Sequence, residues 1–259
     1  MTARGAVAYF ESRARSYRYT WRGSVISSFL NPVMFLAAMG LGLGSLVDSG
    51  ARATTIDGAT YLAFLAPGLM AATAMQSAAG DSAWPVMAGI KWLKTYDAAL
   101  STPVDTTGIV LGHLGFVTAR MAFVTVVYGI IATLFNAISI GPALLAAVVA
   151  TLTGLAFAAP VMAFTAYLER ETGLVNLFRF GIVPMFLFSG TFFPITQLPG
   201  WIQPLAWVTP LWNGVEVTRA VALGTDPHWA PWLHLGYLAV VIVVGTTLAT
   251  RQLERRLVK

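Results

Sequence analysis

The sequence contains no cysteine among its 259 residues, and only 10% of its residues are charged. The lack of cysteine excludes disulfides, cysteine-ligated zinc and thiol nucleophiles. A soluble domain usually carries about 25% charged residues, whereas 57% of the residues here are hydrophobic and the mean hydropathy is +0.71. No hydrophilic stretch is long enough to form a separate soluble domain. The composition therefore predicts a polytopic membrane protein.

Patterns that carry enzymatic or ion-coupled chemistry are also missing. The three histidines are His113, His228 and His234, and the last two, six residues apart, do not share a helical face. No metal site is expected from them, and neither an HExxH nor a GxSxG motif occurs. No predicted span has an acidic residue near its centre, which argues against a proton- or sodium-coupled relay. Two alternatives stay open: a membrane-embedded lipid-modifying enzyme, and a motor-free channel or carrier.

Six apolar segments are long enough to cross a bilayer, since a span takes about 20 apolar residues. The predicted fold is therefore all-α, with six transmembrane helices at 27–47, 60–80, 113–135, 143–167, 174–193 and 232–250. The fifth segment is interrupted at Pro184, Gly190 and Pro194. The stretch 194–231 is too broken to cross as one helix, and such backbone survives at membrane depth only where protein or a cavity covers it. We therefore expect a hairpin-like segment that lines a pathway.

Two amphipathic segments lie outside these spans. Residues 5–22 combine apolar and arginine positions at helical spacing, which favours a helix lying in the membrane interface over a solvated basic arm. Residues 81–112 form the longest polar interruption, and the part at 84–103 is typical of a short helix that ends before its proline. Its length favours a docking element over an ordinary loop. Within the third span, Arg120 must face protein or reach an interface.

The distribution of basic residues predicts the orientation. Twelve Lys and Arg residues lie at the two termini and in the links after spans 2 and 4, against two, Arg52 and Arg219, on the opposite side. The positive-inside rule then places both termini in the cytoplasm, and the protein in the plasma (inner) membrane. Tryptophans near the ends of the spans fit the aromatic belts of a bilayer. We expect residues 194–231 on the outer side, where Glu216 and Arg219, three apart, could pair on a helix.

Several stretches together resemble one family. They are GLGLGSLV at 40–47, YLAFLAPGLMAATAM at 61–75, GIVLGHL at 108–114, LTGLAFA at 152–158, FLFSGTFFPITQLP at 186–199 and PLWNGVEVTRAVALG at 210–224. Each is weak alone, but their order and spacing are similar to those of type-2 ABC transporter permeases. The resemblance covers nearly the whole chain, 1–259, as a single permease domain. Within the family, the chain looks most like the branch of nodulation lipo-chitooligosaccharide exporters and, more distantly, daunorubicin-type drug efflux permeases.

The resemblance implies partners rather than catalysis. Such a permease works with a separate ABC ATPase subunit, which binds ATP and Mg²⁺, and with a second permease copy as a homodimer or close heterodimer. The chain itself would bind no cofactor, act on no nucleic acid, and be no enzyme by itself. The interfacial helix 5–22, the coupling region 84–103 and, secondarily, the link 169–172 would contact the ATPase. The residues expected at this contact are Arg13, Arg18, Trp21, Lys91, Trp92, Lys94, Tyr96, Asp97, Glu169 and Glu171.

The resemblance also implies a route for the substrate. Spans 1, 2 and 5 would face a translocation path, and 194–231 would form outer re-entrant helices. The path residues expected are Phe35, Met39, Phe64, Met70, Phe186, Phe188, Phe192 and Phe193. An apolar lining suits an amphipathic, lipid-linked, glycan or drug-like cargo, exported by alternating access, although lipid-facing packing is an equal alternative for the phenylalanines.

Overall fold

A computed structural model describes residues 2–43 and 59–258 of the chain. These residues form helices joined by short turns. Ten helices are numbered in chain order: α1 Thr2–Tyr17, α2 Trp21–Phe35 with π-helical turns Leu36–Leu43, α3 Tyr61–Trp92, α4 Thr95–Leu100, α5 Thr106–Leu134, α6 Ile140–Tyr167, α7 Thr172–Phe188, α8 Gln203–Trp207, α9 Pro210–Leu223 and α10 Pro231–Leu257.

Within residues 2–43 and 59–258, four helices are long and apolar enough to cross a membrane, namely α3, α5, α6 and α10. They coincide with the predicted spans 2, 3, 4 and 6. The helix α2 covers the first part of predicted span 1, and the remainder of that prediction lies outside the described residues. The helix α7 is 17 residues long and stops at Phe188, because the chain turns at Gly190, which has φ +78°. Span 5 was therefore predicted five residues too long.

The centre of the bundle is α6, which packs against α3, α5, α9 and α10. Small residues make these close approaches possible. A Cβ on Gly154 would lie 3.2 Å from the carbonyl oxygen of Ala74 on α3, and one on Gly245 of α10 would lie 2.7 Å from the ring of Pro160. Two buried hydroxyls, those of Thr125 on α5 and Thr151 on α6, are 3.0 Å apart. The other three long helices, α3, α5 and α10, are thus joined through α6.

The helix α3 corrects the predicted polar interruption at 81–112. It continues without a break to Trp92, with Pro85 inside it and π-helical turns over its last five residues. Asp81 therefore lies within a long helix, where it forms an ion pair with Arg120 of α5. The side chains of both are 18% exposed. Since the charges neutralise each other, an acidic residue is tolerated inside the helix, and the only interruption before α5 is the short segment around α4.

The helix α1 lies against the beginning of α5. A Cβ on Gly108 would lie 3.1 Å from the carbonyl carbon of Gly5, and one on Gly112 would lie 2.5 Å from the carbonyl oxygen of Ala6. Asp105 caps α5 by accepting a hydrogen bond of 3.0 Å from the Gly108 N–H. The interfacial segment predicted at 5–22 is thus helical to Tyr17, and its contact with α5 depends on glycine at the crossing.

This crossing provides a stability prediction with a matched control. Gly112→Ala should lower the free energy of unfolding by about 1–3 kcal/mol, because the added methyl group overpacks the α1–α5 contact. Gly115→Ala, one turn further along α5, should be neutral or mildly stabilising, since its Cβ would meet only the Phe10 ring at 3.6 Å. Both changes bring the same gain in helix propensity. Thermal unfolding of the purified variants in detergent measures the difference, and equal midpoints would refute the close crossing.

Candidate functional site

Two ends of the bundle carry the candidate functional residues. The first, called the basic end here, consists of α1, the segment 93–105, the link 168–171 and the last turn of α10. The second, called the tryptophan end, consists of residues 189–232 and the first two turns of α3. The Lys/Arg-rich and Trp-rich segments are thereby separated along the helices, as an orientation with a basic cytoplasmic side requires.

At the basic end, two of the expected coupling residues bind each other. The Lys91 ammonium, on the last turn of α3, donates a hydrogen bond of 2.6 Å to the Glu171 carboxylate just before α7. This hydrogen bond lowers the pKa of Glu171 below its usual range. Both side chains are more than a third exposed, so the pair is a surface link rather than a buried anchor. It connects the coupling region 84–103 with the link at 169–172.

The short helix α4 is held to the bundle by Tyr96. This ring is buried and meets the ring of Tyr9 on α1 edge-on, with centroids 5.9 Å apart. Burial raises the pKa of Tyr96 well above its usual range, and raises that of Tyr9 as well. A Cβ on Gly89 would lie 3.0 Å from the Tyr96 ring. Tyr96 therefore positions α4 between α1 and α3 and offers no surface to a partner.

The residues around α4 do offer such a surface. Lys94 adopts a left-handed conformation, φ +49°, at the turn between α3 and α4. Trp92 and Leu93 at this turn are 54% and 69% exposed, and Asp97 on α4 is also exposed. Large apolar side chains exposed in a charged turn are typical of a contact site. Sequence reasoning missed Leu93, although two adjacent apolar residues between lysines were a visible signal.

The other expected coupling residues are dispersed. The guanidinium of Arg13 lies over the Phe116 ring of α5, 5.4 Å from its centroid, whereas Arg18 is exposed and donates a hydrogen bond to the Tyr19 hydroxyl. Trp21 is 45% exposed and Glu169 is exposed. Near Glu169, the C-terminal carbonyls of α6 are capped by Arg256, which donates hydrogen bonds of 2.8 and 2.5 Å to Ala166 and Leu168. No pattern in the sequence singled out Arg256.

At the tryptophan end, Arg219 of α9 joins three segments. Its guanidinium donates hydrogen bonds to the carbonyl oxygens of Phe64 (3.3 Å) and Gly190 (2.8 Å) and lies 3.8 Å from the centroid of the Phe64 ring. It is 7% exposed and 3.8 Å from the Glu216 carboxylate, which in turn accepts a hydrogen bond of 3.1 Å from the His228 N–H. Arg219 thus ties the turn after α7 to the start of α3.

A cavity of about 400 Å³ opens beside this arginine. Its lining combines aromatic and polar side chains: Phe64, Gln203, Trp207, Trp212, Glu216, Arg219, Asp226 and His228. Behind it, the buried His234 ring lies 2.7 Å from the Asn213 side-chain oxygen and stacks on Trp229 at 5.5 Å. No group of three or more His, Cys, Asp and Glu able to hold a metal occurs among the residues that were described.

The expected path residues fall into three sets. Phe35, Phe186 and Phe192 meet edge to face, with centroids 6.5 and 5.0 Å apart; Met39 packs against the same core. In contrast, Phe64 and Met70 are fully buried inside the bundle. Two further side chains remain accessible, Phe188 at 45% exposure and Phe193 at partial exposure. The structure therefore brings spans 1 and 5 together along one aromatic face and encloses the span 2 residues.

The chain is similar to known membrane transport proteins. Residues 9–223 match the ABC-2 type transporter family. The chain is 32% identical over 234 residues to nodulation protein J of Rhizobium meliloti, covering 90% of this chain and 87% of that protein. It is 31% identical to nodulation protein J of Rhizobium leguminosarum bv. viciae, covering 91% and 88%. The inner membrane transport permease YadH of Escherichia coli is 23% identical over 78% of this chain and 77% of its own length. The chain belongs to the ABC-2 type transporter family and is a multi-pass membrane transport permease.

Proposed function

We propose that this chain is the membrane-spanning subunit of an ATP-driven exporter, working as a dimer with a separate ATPase subunit that binds ATP and Mg²⁺. Both termini and the basic end face the cytoplasm. The cargo is amphipathic, either lipid-linked or glycan- or drug-like, and leaves by alternating access. The chain carries out no covalent chemistry. Membership of the ABC-2 family supports the motor partner, because an ABC transporter consists of permease and ATPase parts.

The observation that carries the proposal is the surface around α4. It presents exposed Trp92 and Leu93 at the end of α3, beside Lys94 in the turn and Asp97 on α4. The buried Tyr96 ring attaches α4 to the bundle. Displacement of α4 is therefore transmitted to α1 through the Tyr9–Tyr96 contact, and displacement of the end of α3 reaches the start of α7 through the Lys91–Glu171 hydrogen bond. A partner that moves this surface can thus act on two helices at once.

A proline in α4 tests whether this helix couples ATP hydrolysis to transport. Ala98 donates a backbone hydrogen bond of 3.2 Å to the Lys94 carbonyl, and proline both removes it and distorts the turn. Ala98→Pro should keep the permease folded, because the residue is exposed, but should lower cargo-stimulated ATP hydrolysis by about tenfold, a loss of about 1.4 kcal/mol in coupling. Ala98→Ser is the matched control and should behave as wild type. Normal stimulation in the proline variant would refute the coupling role of α4.

Co-purification distinguishes the proposed function from its alternatives. The tagged chain, expressed with its cognate ATPase subunit, should retain that ATPase through size-exclusion chromatography and should hydrolyse ATP in lipid vesicles. Transport or lipid modification by the chain alone in vesicles would contradict the proposal, since a permease without its motor has no energy source. Retention should also fall when Trp92 and Leu93 are both replaced by serine. Phe180→Ser is the control, because Phe180 is 70% exposed but lies on α7, and it should leave retention unchanged.

A further inference from the structure

An apolar groove of about 470 Å³ runs between the N-terminal helices and α5 at the basic end. Its walls are aromatic: Phe10, Tyr17 and Trp21 on one side, Phe116 and Phe123 on the other. Two small residues, Ala14 and Ala119, leave the space between these walls open. Trp21 and Phe123 at its edges are 45% and 47% exposed. The groove therefore opens sideways, along the surface that a membrane covers, and no part of the proposed ATPase contact around α4 lines it.

Positive charge lies along this groove. Arg120, which lines it, lies under the Tyr17 ring at 5.6 Å, and Arg13 lies over Phe116 at 5.4 Å. Asp81 forms an ion pair with Arg120, and the charge of Arg13 acts on Asp81 from a longer distance. Arg120 therefore has a carboxylate partner, whereas Arg13 has none among the described residues, and its buried Nε has no hydrogen-bond acceptor there.

We infer that this groove binds one glycerophospholipid with an anionic headgroup. An acyl chain fits the aromatic walls, and the phosphate supplies the acceptor that Arg13 lacks. Neither a free anion nor a neutral lipid fits both features, because the first leaves the apolar walls in contact with water and the second leaves the charge of Arg13 unmatched. Basic residues at a membrane surface attract anionic lipids. If α1 lies in the membrane interface, as its sequence predicts, Arg13 is at the depth of the lipid headgroups. The bound lipid would fix α1 to α5, independently of which ATPase or cargo the permease has.

Native mass spectrometry of the full chain in detergent tests this inference. The protein is incubated with equal amounts of phosphatidylglycerol and phosphatidylcholine, and the retained lipids are counted. Wild type should hold one phosphatidylglycerol in preference to phosphatidylcholine. Arg13→Gln should weaken that preference by roughly fivefold, the effect of one basic residue at an anionic surface. Arg15→Gln is the matched control, because Arg15 lies on the same helix, pairs with Glu11 at 3.0 Å and is 76% exposed.

A second pair of variants tests the groove rather than the charge. Ala119→Trp fills the space between the aromatic walls and should abolish the selective lipid. Ala239→Trp, at an exposed position of α10, adds the same side chain elsewhere and should leave binding unchanged. Size-exclusion profiles verify that each variant is folded. Equal loss in Arg13→Gln and Arg15→Gln, undiminished binding in Ala119→Trp, or equal retention of the two lipids in wild type would each overturn the inference.

Discussion

Replacing Asp81 by alanine is expected to lower the free energy of unfolding by about 3–5 kcal/mol, the usual cost of removing one partner of a buried ion pair. The carboxylate pairs with Arg120 across the α3–α5 contact, and each side chain is only 18% exposed. Without Asp81, the Arg120 charge would remain inside the bundle with no carboxylate beside it. The measurement is thermal unfolding in detergent, supported by the yield of monodisperse protein. Asp97→Ala on exposed α4 serves as the control and should change stability by no more than about 0.5 kcal/mol.

A double variant separates the pair's own contribution from the penalty of a lone charge. In Asp81→Leu combined with Arg120→Met, both charges are gone and apolar side chains of similar length fill the space. Exchanges of this kind are often neutral or stabilising by about 1–4 kcal/mol. We therefore expect the double variant to unfold close to wild type and well above Asp81→Ala. If the two variants unfold at the same low temperature, Asp81 stabilises the fold by some means other than neutralising Arg120.

The same pair explains what the sequence could and could not predict at the basic end. Arg120 was expected either to face protein or to reach an interface, since a charge inside a span demands one of the two, and it faces Asp81. Its partner was not expected, because Asp81 followed by Ser82 and then Pro85 is the pattern of a helix end. Considered alone, Asp81 has the free-energy cost of an unpaired charge inside a span. Arg120 of α5 offsets this cost by pairing with it. Local sequence periodicity cannot predict such a contact, because the two residues belong to distant segments.

The spans show the same division between local and long-range information. Long apolar runs determined α5, α6 and α10, because length and hydropathy are local properties. The end of α7 depended instead on Gly190, whose left-handed turn lies close to distant residues: a Cβ there would be 3.3 Å from Ile195 and 3.6 Å from Trp212. Gly68, inside α3, depends on long-range contacts in the same way. A Cβ there would lie 2.8 Å from the Thr191 carbonyl oxygen, so this glycine serves a close crossing.

The sequence predicted which segments form the candidate site, but not which of their side chains are exposed. The segments 84–103 and 169–172 were chosen separately, and the hydrogen bond between Lys91 and Glu171 joins them. Tyr96 was expected to face a partner, but its aromatic ring is buried against Tyr9. Charge and spacing identify which stretches are amphipathic. They do not tell which of the polar or aromatic side chains turns inward, because that depends on how the neighbouring helix crosses.

Replacing Arg219 by alanine is expected to have the largest effect at the tryptophan end. The substitution removes two hydrogen bonds to the carbonyls of Phe64 and Gly190 and the contact with the Phe64 ring. Hydrogen bonds to a charged group contribute about 1.5–3 kcal/mol each, and a cation–π contact adds about 0.5–2 kcal/mol. After partial compensation, we expect the free energy of unfolding to fall by about 3–5 kcal/mol. Arg170→Ala, at an exposed position, is the control for loss of an arginine.

Chemical labelling measures whether the turn after α7 opens as well. The sequence has no cysteine, so Thr191→Cys introduces a single thiol at a fully buried position. A maleimide should react slowly with this variant and much faster when Arg219→Ala is added, because the Gly190 carbonyl is then no longer held to α9. Arg219→Lys should give an intermediate rate, since one ammonium retains the charge but lacks the planar fork that reaches two carbonyls. Slow labelling in all three would show that Arg219 stabilises α9 without closing the turn.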